Sequence, residues 1–117
     1  MLLLCLPAQA QSIYGTWQTR ITIQTGPYAE PYVVTLSLAS SGSWQQRVQS
    51  QRFPDRYELK FGSFAPIGPD TYRFSVMAPQ PGVDMSAFTV RIRLVSATLM
   101  SWDDLSAGGH LQFRRLR

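Results

Sequence analysis

From residue 14 onward, apolar and polar side chains take turns along the chain. In WQTRITI, Trp17, Thr19, Ile21 and Ile23 alternate with Gln18, Arg20 and Thr22. A period of two marks a β-strand, because successive side chains on an extended backbone point to opposite faces. The pattern recurs. YVVTLSLA places Tyr32, Val34, Leu36 and Leu38 on one face, and after a turn at Ser41-Gly42 SWQQRVQ sets Trp44, Gln46 and Val48 against Gln45, Arg47 and Gln49. Tyr57, Leu59 and Phe61 are read as the inward face of a fourth strand, and Tyr72, Phe74 and Val76 as that of a fifth. FTVRIRLV has Phe88, Val90, Ile92 and Leu94 opposed to Thr89, Arg91 and Arg93, and TLMSW and HLQFRRL supply two more strands. TGPYAEP, RFPDR, APIGPD, PQPG and DDLSAGG carry the Gly, Pro and Asp of turns. No window has the three-to-four spacing of an amphipathic helix.

The fold class predicted is therefore all-β. Short strands at even spacing, joined in sequence by brief polar turns, favour a small up-and-down antiparallel β-barrel of about eight strands. Closure removes the exposed edges that promote aggregation. The interior of such a barrel is wide enough to be packed with side chains or to admit one small ligand, and the pattern leaves both open.

Composition adds the setting. With 117 residues, 44% of them hydrophobic and 15% charged, the chain is sized for one domain. The opening MLLLCLPAQA joins an apolar run, Leu2 to Leu6, to Pro7 and an Ala8-Gln9-Ala10 cleavage pattern. Residues 1–10 are read as a secretory signal peptide whose usual basic start is missing from the sequence, and residues 11–117 as a single barrel domain, secreted or periplasmic. Bulky Leu4 argues against lipidation of Cys5, which leaves with the leader. The mature chain then holds no cysteine, so burial and hydrogen bonding carry its stability. The polar outward register excludes a membrane-spanning barrel, which needs an apolar outer band.

Two short motifs point further. Gly15-x-Trp17 opens the first strand and Phe113-x-Arg115 lies in the last. A glycine lets the chain bend into the strand and lets a neighbour approach; the indole can plug one end of a barrel. Arg115 shares a face with Leu111 and Phe113, which makes it, rather than Arg114, the cation to lie over that ring. Together these motifs resemble the signature and the ending of the lipocalins, in which an arginine crosses the tryptophan. The chain is shorter than typical lipocalins and is more similar to the minimal lipocalin-like (calycin-type) domains of secreted bacterial proteins, or to small barrel inhibitors of secreted metalloproteases. The resemblance implies a binding protein rather than an enzyme.

Candidate chemistry is sparse. His110 is the only histidine, so any Ser-His-Asp or metal arrangement would need it, and Asp103 and Asp104 beside it lack a metal's ligand spacing. No catalytic residue, metal or cofactor is assigned. The charge is more informative: 11 basic and 7 acidic side chains, with Arg20, Arg47, Lys60, Arg73, Arg91, Arg93 and Arg114 read as outward-facing. An anionic surface, either lipid head groups or polysaccharide, is an expected partner. Nucleic acid is disfavoured by export and by aromatics that alternate inward.

The function expected is binding of a small apolar or amphipathic ligand in the interior. Tyr32, Trp44, Tyr57 and Tyr72 are the expected lining, because their polar tips suit a wet mouth. The alternative is an interaction module, such as an inhibitor of a secreted protease or lysozyme, acting through segments 24–31 and 78–87. The sequence leaves the oligomeric state open.

Overall fold

The computed structural model describes residues 12–77 and 87–117. The proposed leader, and most of the 78–87 segment, lie outside the described residues. Eight strands follow one another: β1 (Gly15–Thr25), β2 (Tyr28–Leu38), β3 (Ser43–Ser50), β4 (Tyr57–Gly68), β5 (Thr71–Met77), β6 (Ala87–Ser96), β7 (Leu99–Asp104) and β8 (His110–Arg115). Each pairs antiparallel with the next, and β8 returns to β1 to close a barrel. This is the up-and-down architecture that the alternation predicts.

Strand direction sorts the connections to two ends. At the base lie the start of β1, the β2–β3, β4–β5 and β6–β7 turns, and the end of β8. The other end, the mouth, gathers the β1–β2, β3–β4 and β7–β8 connections, together with the end of β5 and the start of β6. Two predicted loops contract into strand. β1 and β2 stay in register up to Thr25↔Tyr28, so TGPYAEP reduces to a Gly26-Pro27 turn with Gly26 at φ 61°. APIGPD becomes the end of β4, where a bulge between Pro66 and Gly68 accommodates a residue with no N–H to donate.

The core is aromatic and continuous. Phe64, Phe74 and Phe88 are cross-strand partners on β4, β5 and β6 and form a ladder of stacked rings, 5.2 Å between centroids at each step. Trp44 meets Phe74 and Phe88 edge-on at 5.5 and 5.8 Å, and Trp102 bridges Phe74 to Phe113 at 5.2 and 5.6 Å. Pairs of this geometry are each worth about 0.5–1.5 kcal/mol beyond the area they bury. Trp17, Val34, Leu36, Val90, Ile92 and Met100 fill the rest.

One strand overturns its sequence reading. Tyr57, Leu59 and Phe61 point outward, Phe61 being 42% exposed, whereas Phe64 is buried at 7%. Phe61 and Phe64 stand an odd number of residues apart, so only one of them can face the core. Gly62 decides the matter. It lies opposite Trp44 and Val76 in the ladder, and a Cβ there would come within 1.8 Å of the Ser75 carbonyl oxygen and 3.1 Å of the Trp44 indole nitrogen. The indole occupies that space and donates its N–H to the same carbonyl at 3.1 Å. Lys60 and Glu58, expected outside, consequently fall on the inward register of β4, opposite Gln46 and Val48.

Candidate functional site: a sealed base and a lined mouth

At the base Gly15, Trp17, Phe113 and Arg115 converge. Trp17 is fully buried, and the Arg115 guanidinium carbon stands 4.2 Å from its ring centroid. The indole N–H donates to the Ile13 carbonyl at 2.8 Å. Arg115 spends its donors on main-chain oxygens: Nε on Ala97 at 2.8 Å, Nη1 on Tyr14 at 2.8 Å and Nη2 on Ser12. One side chain thus ties the β6–β7 turn and the segment before β1 to β8. Gly15 makes room for it, since at φ 142° a Cβ would meet Arg115 Nη1 and the Arg117 carbonyl oxygen, each at 2.7 Å. Phe113, opposite Met100 and fully buried, completes the seal. Arg115 is the arginine over this ring, whereas Arg114 is exposed on the outer face.

Beside this seal is a hollow of about 480 Å³ walled by Ser12, Ile13, Tyr14, Asp70, Tyr72 and Arg93. Burial raises the Tyr72 hydroxyl above its ordinary pKa, with smaller contributions from Tyr14 and Asp70. The Arg93–Asp70 pair across it, at 3.8 Å and well exposed, contributes little to stability.

The mouth is built differently. A cavity of about 430 Å³ has Trp44, Phe88, Trp102 and Leu111 as apolar walls, with Gln46, Lys60, Asp104 and Ser106 as polar ones. Gln46 and Lys60 are direct cross-strand partners, so their side chains project side by side. Lys60 Nζ lies 3.6 Å from Glu58 Oε1, a solvent-exposed pair held only loosely. Asp104 Oδ1 accepts the amides of Ser106 and Ala107 at 2.9 and 2.8 Å, and Ser106 Oγ accepts the Thr89 amide at 3.0 Å. These bonds fix the β7–β8 loop as a rigid lip. Among the described residues, the mouth combines two indoles, a phenyl ring and polar groups of both charges.

The four predicted lining residues do not share one cavity. Trp44 lines the mouth. Tyr72 belongs to the hollow at the base. Tyr32 sits on the inward register opposite Ser50 and shares a separate depression with Tyr57, Ile23, Val48, Arg56 and Glu58. Tyr57 reaches the rim of that depression from the outward register, with Arg47 stacked over its ring at 4.4 Å. Lys60 and Asp104 are the mouth residues that alternation missed. The signal for Lys60 was Gly62, whose missing side chain sets the parity of β4.

His110 pairs with Asp103 at 2.5 Å at the mouth end but on the outward register, while Asp104 turns inward. No group of three or more His, Cys, Asp or Glu side chains gathers as a metal site among the described residues. No helix of the described chain is long and apolar enough to cross a membrane. Against known proteins, no family model matches the sequence and no curated protein matches it at significant similarity.

Proposed function

We propose that this chain is an exported, non-catalytic barrel that seats a small amphipathic molecule in its mouth rather than deep in its interior. The observation that carries this reading is the aromatic cavity formed by Trp44, Phe88 and Trp102 beneath Gln46, Lys60 and Asp104. Binding cavities of this size take their affinity from apolar walls and their orientation from a few polar groups. The stacked rings below leave the tail of a ligand no path toward the base. The Trp17–Arg115 arrangement supports a lipocalin-like relationship, with a shallower cup. A fluorescent fatty acid is the probe. Saturable binding accompanied by quenching of indole emission is expected, and Phe88→Ala should weaken it about tenfold, the value of burying part of one ring. Unsaturable or absent binding refutes the reading.

A second reading rests on the β1–β2 hairpin. Beyond Pro31 and Glu30, which accept the Gln51 amide and the Ser50 hydroxyl, the hairpin projects as a short two-stranded arm, and Tyr28 at its tip is 69% exposed. An ordered arm with an exposed ring above a filled core suits insertion into the cleft of a secreted protease or lysozyme. Inhibition of such an enzyme, lost in Tyr28→Ala, would favour it over the mouth.

A further inference from the structure

Along β1 to β5 the arginines and the carboxylates fall on opposite registers of the barrel wall. On β1 to β5 the only carboxylates are Glu30 and Glu58, and both lie on the inward register, Glu30 accepting a hydrogen bond from the buried Ser50 hydroxyl. The outward register of the same strands holds Arg20, Arg47 and Arg73 with no carboxylate at all. The apolar side chains displaced by the parity of β4 lie among these arginines. Tyr57, Leu59 and Phe61 run down its outer face, and Met77 is the cross-strand partner of Phe61. The β3–β4 loop that leads into Tyr57 carries exposed Phe53, over which Arg56 is stacked at 4.6 Å, and one carboxylate, Asp55; Arg56 also borders the depression of Tyr32 and Val48.

We propose that this outer face of β3 to β5, centred on Leu59 and Phe61, docks on the surface of an anionic lipid bilayer. Exposed apolar and aromatic side chains interleaved with arginines are the composition that settles at a charged lipid interface. The rings and aliphatic groups enter the head-group boundary, and the guanidiniums stay level with the phosphates. A second copy of the chain fits the face poorly, because a two-fold contact would set Arg47, Arg56 and Arg73 against their own images with only Asp55 to offset them. The inward turn of Glu58, and its pairing with Lys60, keep the strand's carboxylate off this surface.

The test is co-sedimentation of the full chain with vesicles of phosphatidylcholine alone and of phosphatidylcholine with 30% phosphatidylglycerol (about physiological salt). The wild type is expected to bind the anionic vesicles and to leave the neutral ones unbound. Leu59→Ser/Phe61→Ser and Arg47→Gln/Arg56→Gln should each lower the partition coefficient at least tenfold, since one basic side chain near such a surface is worth about fivefold. Arg91→Gln/Arg93→Gln removes equal charge from β6 and should cost less than threefold. Near-ultraviolet circular dichroism checks that each variant keeps its aromatic packing. Equal loss in the β6 variant reduces the effect to net charge and overturns the proposal. So do unchanged binding in the β4 variant, indifference to phosphatidylglycerol, and a dimer in solution that Leu59→Ser/Phe61→Ser dissolves.

Discussion

Replacing Arg115 with alanine should weaken the whole barrel, because this side chain acts on three separate pieces of chain at once. Its stacking on Trp17 at 4.2 Å is worth about 0.5–1 kcal/mol in a partly solvated setting. Its hydrogen bonds to the carbonyls of Ala97, Tyr14 and Ser12 contribute about 1 kcal/mol each once water is allowed to replace the lost donors. The sum is about 3–4 kcal/mol, against a total stability on the order of 6–15 kcal/mol for a chain of this length. A domain of this size loses about 3–6 °C in Tm per kcal/mol, so thermal unfolding followed by near-ultraviolet circular dichroism should shift down by roughly 10–20 °C. Arg114→Ala removes the same charge one residue away from an exposed outer position and should stay within about 0.5 kcal/mol of the wild type. Arg115→Lys should fall between the two, because a single ammonium cannot serve three divergent carbonyls. Equal melting temperatures for the Arg114 and Arg115 variants would remove the arginine from any role in sealing the base.

Gly62→Ala should destabilise the barrel by at least about 2 kcal/mol in guanidinium titrations, since its Cβ would be forced to 1.8 Å from the Ser75 carbonyl and would crowd the Trp44 indole; a neutral effect would contradict the parity of β4. Leu59→Ala should cost under about 0.5 kcal/mol and Phe64→Ala about 3 kcal/mol, a contrast that chemical unfolding can measure directly. Tyr72 has its pKa raised in the folded state by burial, so its contribution to stability is complete below the unfolded value of 10.0 and is lost as pH rises through the folded one. Stability measured between pH 9 and 12 should therefore fall less steeply in Tyr72→Phe, and parallel curves would show that Tyr72 ionises alike in both states.

Alternation was enough to reveal the strands and their order, because every strand except β4 presents its bulky residues on the face that the core requires. β4 misled because both of its faces are apolar. Tyr57, Leu59 and Phe61 obey the period as well as any buried set, and nothing within the strand says which parity is inner. The deciding contact is between Gly62 and an indole on β3, a pairing of residues 18 positions apart that emerges only when the two strands are side by side. The Trp17–Arg115 seal was legible for the opposite reason. A large ring after a glycine at one terminus and a cation in register with buried residues at the other leave few alternatives once the ends of the barrel meet. The mouth was half legible: Trp44 and Gln46 follow from the period of β3, whereas Lys60 inherits the error of its strand. Asp104 sits at the strand end where the β7–β8 loop begins, a position to which alternation assigns no role.

The closure between first and last strands rests on Trp17↔Arg115 and Gln18↔Arg114, extended only by the main-chain bonds of Thr16 with Leu116 and Arg117. Above that point β1 and β8 run unpaired, so thermal breathing should start along this seam, and the amides of Thr19 to Ile23 that face it should exchange with solvent ahead of the other strands. Removal of Arg114 to Arg117 would unlatch the cylinder into a curled sheet with two bare edges. Opening this seam would thus convert a closed barrel into a template for fibrils.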